Sequence, residues 1–215
     1  MRMTIRAQAV QLPTEYKTIK PKGQLVLARV PEAQRKTSGG LYLPSSAQKA
    51  ATTGTVVSVG DGRVDGRTHE FTVCADQTIL YSKFGIGVTE LEQGSDKFVL
   101  IREEDILGVL PRNGTPTSSI ASLEPLHDRV LVKVESAAEE SLGGVLLPES
   151  AKSKPVSGEV VAHGPGKVKK DGTLKPTRVK SGQRVVYFKY AGDSIEAEDG
   201  TRYVVLREQD ILCTV

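Results

Sequence analysis

Few side chains in this chain are of the kinds that carry out chemistry, and their spacing argues against it. His127 and Asp128 are adjacent and would suit a metal or an acid-base pair, but the dipeptide has no companion ligands and reads as a structural start to a strand. Gly60-Asp61-Gly62 and Gly164-Pro165-Gly166 have the composition of phosphate loops. Neither is followed by Lys-Ser/Thr or opens a helix, so both read as turns at strand ends. Cys74 and Cys213 are too few for a disulfide framework and lack the spacing of a zinc site, which suggests inert thiols in a reducing compartment. The Lys167 to Lys170 cluster reads as a solvated hairpin face, with weak nucleic-acid binding the lesser reading. What remains is two apolar triads, Leu41-Tyr42-Leu43 and Val145-Leu146-Leu147. Paired glycines precede each (Gly39-Gly40, Gly143-Gly144) and a proline follows (Pro44, Pro148).

The chemistry of such a triad is binding. Three consecutive apolar residues also fit an ordinary buried strand, but the flanks point elsewhere. Paired glycines raise the cost of ordering, and a proline cannot donate to a sheet ladder, so the triad suits a loop that orders when another surface receives it. The surrounding stretches, 31–50 and 135–154, are small, charged and polar. A structureless run of about 20 residues inside a small domain is unusual unless it is functional or disordered. Burying three apolar side chains contributes roughly 5 kcal/mol, and ordering four or five backbone residues costs about as much. One loop alone should therefore bind weakly, and several loops on one assembly should bind far more tightly.

The elements that must carry these loops come in two copies. Pro21 matches Pro125 (125 − 21 = 104), and the same offset takes Val26-Leu27 to Val130-Leu131, Gly54 to Gly158 and Gly60 to Gly164. Asp65-Gly66 matches Asp171-Gly172 two residues later in register, and Asp105-Ile106-Leu107 matches Asp210-Ile211-Leu212. A fixed offset over such a length marks a duplication. Expected boundaries are a tail at 1–20, a first domain at 21–110, a turn-rich linker at 111–121 and a second domain at 122–215. The basic, acid-free opening Met1-Arg2-Met3-Thr4-Ile5-Arg6-Ala7-Gln8 fits either a processed targeting peptide or a frayed terminus.

Composition agrees with small β domains. Aromatic residues are 5%, and 21 Gly with 11 Pro favour short strands and turns over long helices. In the second copy, Arg129–Val134, Gly158–Gly164, Gln183–Tyr190 and Arg202–Leu206 read as strands. Asp171-Gly172 signals a two-residue hairpin, and Glu208–Leu212 a single turn before a last short strand. The charges, 29 basic against 26 acidic and interspersed, give no field for a polyanion or a membrane. No apolar run approaches the length of a bilayer span.

Pro125-Leu126-His127-Asp128-Arg129-Val130, the Gly-Gly-apolar loop, Gly158-Glu159-Val160-Val161, Asp171-Gly172 and Asp210-Ile211-Leu212 together resemble the GroES family of co-chaperonins. The tandem arrangement is similar to the double-domain co-chaperonins of chloroplasts. The first copy's Pro21-Lys22-Gly23-Gln24-Leu25-Val26-Leu27 lacks the Leu-His-Asp-Arg signature of the second. The resemblance implies an all-β fold of two irregular GroES-like barrels, each with a long mobile loop and a roof hairpin, turning at Asp65-Gly66 and Asp171-Gly172. It also implies that Leu41, Tyr42, Leu43, Val145, Leu146 and Leu147 touch a GroEL-type chaperonin, with Gly39, Gly40, Gly143 and Gly144 as loop hinges. The expected protein is no enzyme and holds no cofactor, ATP being bound by the chaperonin. It joins a ring of its own copies, with or without single-domain co-chaperonins, in the chloroplast stroma. Because the family's ring is sevenfold, chains of two domains cannot match it one domain per site.

Two other classes fit less well. GroES-like barrels occur in zinc alcohol dehydrogenases, but no cofactor domain or ligand cluster is present. A barrel binding single-stranded nucleic acid would need exposed aromatics interleaved with Arg and Lys.

Overall fold

The computed structural model describes residues 10–16, 18–31, 53–64, 66–82, 87–112, 117–135, 156–168 and 172–215. The chain divides into two compact units, 1–116 and 117–215. The first contains β1 (Val10–Gln11), β2 (Leu25–Arg29), β3 (Thr53–Val59), β4 (Arg63–Val64), β5 (Arg67–Thr68), β6 (Thr78–Tyr81), β7 (Thr89–Gln93), β8 (Asp96–Arg102) and β9 (Ile106–Leu110). The second contains β10 (Glu124–Pro125), β11 (Arg129–Val134), β12 (Val156–His163), β13 (Gly166–Val168), β14 (Leu174–Pro176), β15 (Arg184–Tyr187), β16 (Asp193–Glu196), β17 (Arg202–Arg207) and β18 (Ile211–Thr214). Among the described residues there is no α-helix, only short 3-10 turns.

The duplication is a duplication of topology. Six consecutive strands of the eight-stranded first sheet, β7-β8-β2-β3-β6-β9, match the six-stranded second sheet, β16-β17-β11-β12-β15-β18, in order. Even the irregularities coincide. The register shifts between Leu27 and Ala28 and between Leu131 and Val132, then again between Leu80 and Tyr81 and between Val186 and Tyr187. Each shift inserts a residue that bends the strand and increases its twist, which curls a mostly antiparallel sheet into the irregular barrel form. Within the described residues the ladder stays open.

Alternation sets the core. In the second unit Val130 and Val132 of β11 pack with Val160, Val185, Tyr187 and Leu206, all nearly inaccessible to solvent, and the matching Val26, Ala28, Val56, Ile79, Tyr81 and Ile101 are equally buried in the first. A volume swap at one position, Ala28 against Val132, is the kind of change a repacked core absorbs.

Two segments outside the expected domains carry structure of their own, and two expectations of strand and turn are corrected by the structure. The segment 1–20 is not all tail: Val10 and Gln11 pair parallel with Leu91 and Glu92, and Leu12 and Ile19 pack against Leu27, Leu91 and Phe98. Of the expected linker 111–121, residues from Thr117 onward belong to the second unit. There Ile120 is buried and the Thr117 carbonyl accepts the Glu198 N–H. The strand expected at Gln183–Tyr190 stops at Tyr187, because a turn closes from the Phe188 carbonyl to the Ala191 N–H and leaves Phe188 and Tyr190 exposed. Finally, β13 and β14 are joined by five residues, since Val168 pairs with Leu174. The two-residue turn exists only in the first unit, where Val64 pairs with Arg67.

Candidate functional site

Each expected binding loop leaves and returns on neighbouring, hydrogen-bonded strands. In the second unit β11 runs out beside the incoming β12, with Val134 opposite Gly158 and the Glu135 N–H donating to Ser157 O at 3.0 Å. The Glu135 carboxylate is held there by Arg184 Nε at 2.8 Å and Ser157 Oγ at 3.3 Å. In the first unit β2 leaves beside β3, and the Val30 N–H donates to Lys97 O at 2.9 Å. Arg29 lies over the Phe98 ring, 5.6 Å from its centroid. A glycine stands at each return stem, and at Gly158 the packing requires it. A Cβ on Gly158 would stand 2.4 Å from Lys133 O and 2.5 Å from Val132 Cγ1, and one on Gly54 would meet Ala28 Cβ at 3.0 Å. The triads Leu41, Tyr42, Leu43 and Val145, Leu146, Leu147, with Gly39, Gly40, Gly143 and Gly144, lie outside the described residues.

The hairpins, β4-β5 and β13-β14, are separate two-stranded sheets. Gly66 and Gly172 adopt φ of 76° and 82° with open space around them, the left-handed backbone that glycine accepts readily; Asp65 and Asp171 lie outside the described residues. Behind each hairpin sits a carboxylate that sequence reasoning missed. Glu103, 2% exposed at the head of a 3-10 turn, accepts from the Thr72 N–H, the Thr72 hydroxyl at 2.6 Å and His69 Nε2. Its counterpart Glu208 accepts the Arg178 N–H at 2.6 Å. The signal was available: the repeat places Glu in both copies at the same step of the Asp-Ile-Leu motif.

At the signature strand the two copies differ in residue but agree in backbone. His127 has φ of 53° and Gly23 has φ of 61°, so the glycine meets the same left-handed requirement as the histidine it replaces. The Gly23 N–H donates to Asp61 Oδ1 at 2.8 Å. That bond and a second from the Arg63 N–H hold the Asp61 carboxyl below the usual carboxylate range.

The last strands differ in exposure. Leu107 and Leu110 are 1% and 3% exposed around β9, whereas the matching Leu212 and Val215 are 51% and 76% exposed around β18. Among the described residues the strand β18 ends its sheet, pairing only with β15. Cys74 and Cys213 are exposed and free. Among the described residues no group of His, Cys, Asp and Glu is arranged to hold a metal.

A family model described as the chaperonin 10 Kd subunit matches this chain twice, at residues 18–110 and 122–215. The chain is 41% identical to the "20 kDa chaperonin, chloroplastic" of Arabidopsis thaliana over 212 residues, covering 98% of this chain and 81% of that protein. It is 36% identical to the protein of the same name from Spinacia oleracea over 214 residues, covering 99% and 81%. The "Co-chaperonin GroES" of Nitratidesulfovibrio vulgaris is 50% identical over 94 residues, which covers 44% of this chain and 98% of that single-domain protein. With six strands in matching order in both halves and a family match to each, the chain belongs to the GroES, or chaperonin 10, family of co-chaperonins, as two such domains in tandem.

Proposed function

We propose that this protein caps a GroEL-type chaperonin ring through both of its loops and assists ATP-dependent folding there, hydrolysing no nucleotide itself. The observation that carries the reading is the pair of stems. In each unit a stretch of about 20 residues with an apolar triad is tethered at both ends to adjacent strands of one sheet. Tethered ends limit the entropy lost when the tip docks, and two tips per chain multiply the local concentration of each further contact. Leu41, Tyr42, Leu43, Val145, Leu146 and Leu147 are the proposed contacts, with the paired glycines as hinges.

Self-association is supported by the β18 edge, bare among the described residues, whose unpaired backbone and exposed Leu212 and Val215 offer a strand of another barrel a place to add. The partners are other copies of this chain, with or without single-domain co-chaperonins. The names of the plant relatives support a place in the chloroplast.

The test replaces Leu146 and Leu147 by Ser together with Leu41 and Leu43 by Ser. ATP-dependent co-sedimentation with chaperonin and assisted refolding should both be lost while the barrels stay folded. Retention of both activities would refute the assignment.

A further inference from the structure

The duplication supplies an internal control for the hairpins, and the two differ sharply in charge. Residues 167–180 of the second copy carry six cations (Lys167, Lys169, Lys170, Lys175, Arg178 and Lys180) against one acid, Asp171. The matching stretch of the first copy balances Arg63 and Arg67 with Asp65 and Glu70. The hairpin fold therefore does not need the charge. In the second unit the register sets Lys167 directly opposite Lys175, an arrangement that weakens a two-stranded ladder. The first unit has His69 at the position of Lys175 and satisfies it with the buried Glu103. Among the described residues, Lys167, Lys175, Arg178 and Lys180 are exposed and none forms an ion pair.

The hairpin's other face is apolar. Val168 and Leu174 pair across the strands and are 57% and 51% exposed. Lys167, Lys175 and Arg178 also line an open cleft, together with Ile211, Leu212 and Thr214 of β18 and the carboxylates Asp128 and Glu208. Residues 164–182 contain no aromatic side chain on which a base could stack. Cations without an ion-pair partner among the described residues, beside exposed aliphatic groups, complement an extended chain that alternates carboxylates with aliphatic side chains.

We propose that the β13–β14 hairpin of the second unit is a docking surface for an acidic, extended polypeptide segment bearing aliphatic residues. The proposal does not rest on chaperonin capping, because it is read on the free protein. The full-length chain is titrated against a fluorescein-labelled peptide of alternating Glu and Leu, and anisotropy is followed at low and high salt. Binding should be weakened about tenfold by Lys167→Glu with Lys175→Glu, and by high salt. Lys167→Thr with Lys175→Thr, which removes charge without adding any, should weaken it in the same direction. Arg63→Glu on the first hairpin should leave it unchanged. Equal binding of a Gln-Leu peptide, or an equal loss with Arg63→Glu, would overturn the proposal, the latter by reducing the effect to net charge. Tighter binding of single-stranded oligouridylate at the same salt would overturn it in favour of nucleic acid. A change in native mass with no change in peptide affinity would assign the patch to self-assembly instead.

Discussion

Arg178 and Glu208 are joined by a hydrogen bond of 2.6 Å from backbone N–H to carboxylate, and the same bond joins Thr72 to Glu103 in the first unit. In both units it ties the strand returning from the hairpin to the 3-10 turn that precedes the last strand. The two bonds differ in burial, and so in consequence. Glu103→Ala leaves His69 and two donors of Thr72 without their acceptor at a part-buried site, and should cost about 1–3 kcal/mol. Glu208→Ala, at a half-exposed site, should cost about 1 kcal/mol. Urea unfolding gives the size of each loss, and amide exchange in the two hairpins assigns it to its unit.

The return stems of the loops respond to one methyl group in different degrees. Gly158→Ala places a Cβ against Lys133 O and Val132 Cγ1 at distances no packed carbon tolerates, so the strand must shift at a cost of about 2–3 kcal/mol. Gly54→Ala meets its neighbours at 3.0 Å and 3.1 Å, and should cost under about 1 kcal/mol, because alanine restores strand entropy. Thermal melting of the two variants should rank them in that order.

Tyr187 has a buried hydroxyl with no hydrogen-bond partner. Tyr187→Phe removes an unsatisfied polar group and should be neutral or stabilising by about 1 kcal/mol. Burial also pushes the Tyr187 and Tyr81 phenols up to about 12. The neutral form is thus favoured by folding, so this contribution is complete below the unfolded value near pH 10 and is lost as pH rises through 12. Denaturation curves collected from pH 9 upward should show that decline, and Tyr187→Phe should make it shallower.

The repeat offsets made much of this fold readable, because the apolar positions they align, such as Val26 with Val130 and Tyr81 with Tyr187, are the ones that fill the two cores. Strands with little apolar content were harder to see. The strand at Asp193–Glu196 is held by its neighbour β17, whose Val204 and Tyr203 it pairs with, and its own Asp-Ser-Ile-Glu carries almost no pattern. Strand β1 is invisible for the same reason, being two residues held by β7. Glu103 stands in a Glu-Glu-Asp run of which it is the buried carboxylate, a distinction that only the tertiary fold makes. The triads read as binding elements because their flanks do not suit a strand; they lie outside the described residues, so only the stems at Gly54 and Gly158 can be compared with the structure.

The central claim is that both triads dock on the chaperonin. Hydrogen exchange read by mass spectrometry on the full chain, free and then mixed with ATP-loaded chaperonin, tests it most directly. The account predicts protection gained at Leu41–Leu43 and at Val145–Leu147, with the sheets of both units unchanged. Complex formation with protection elsewhere and none at either triad would contradict it.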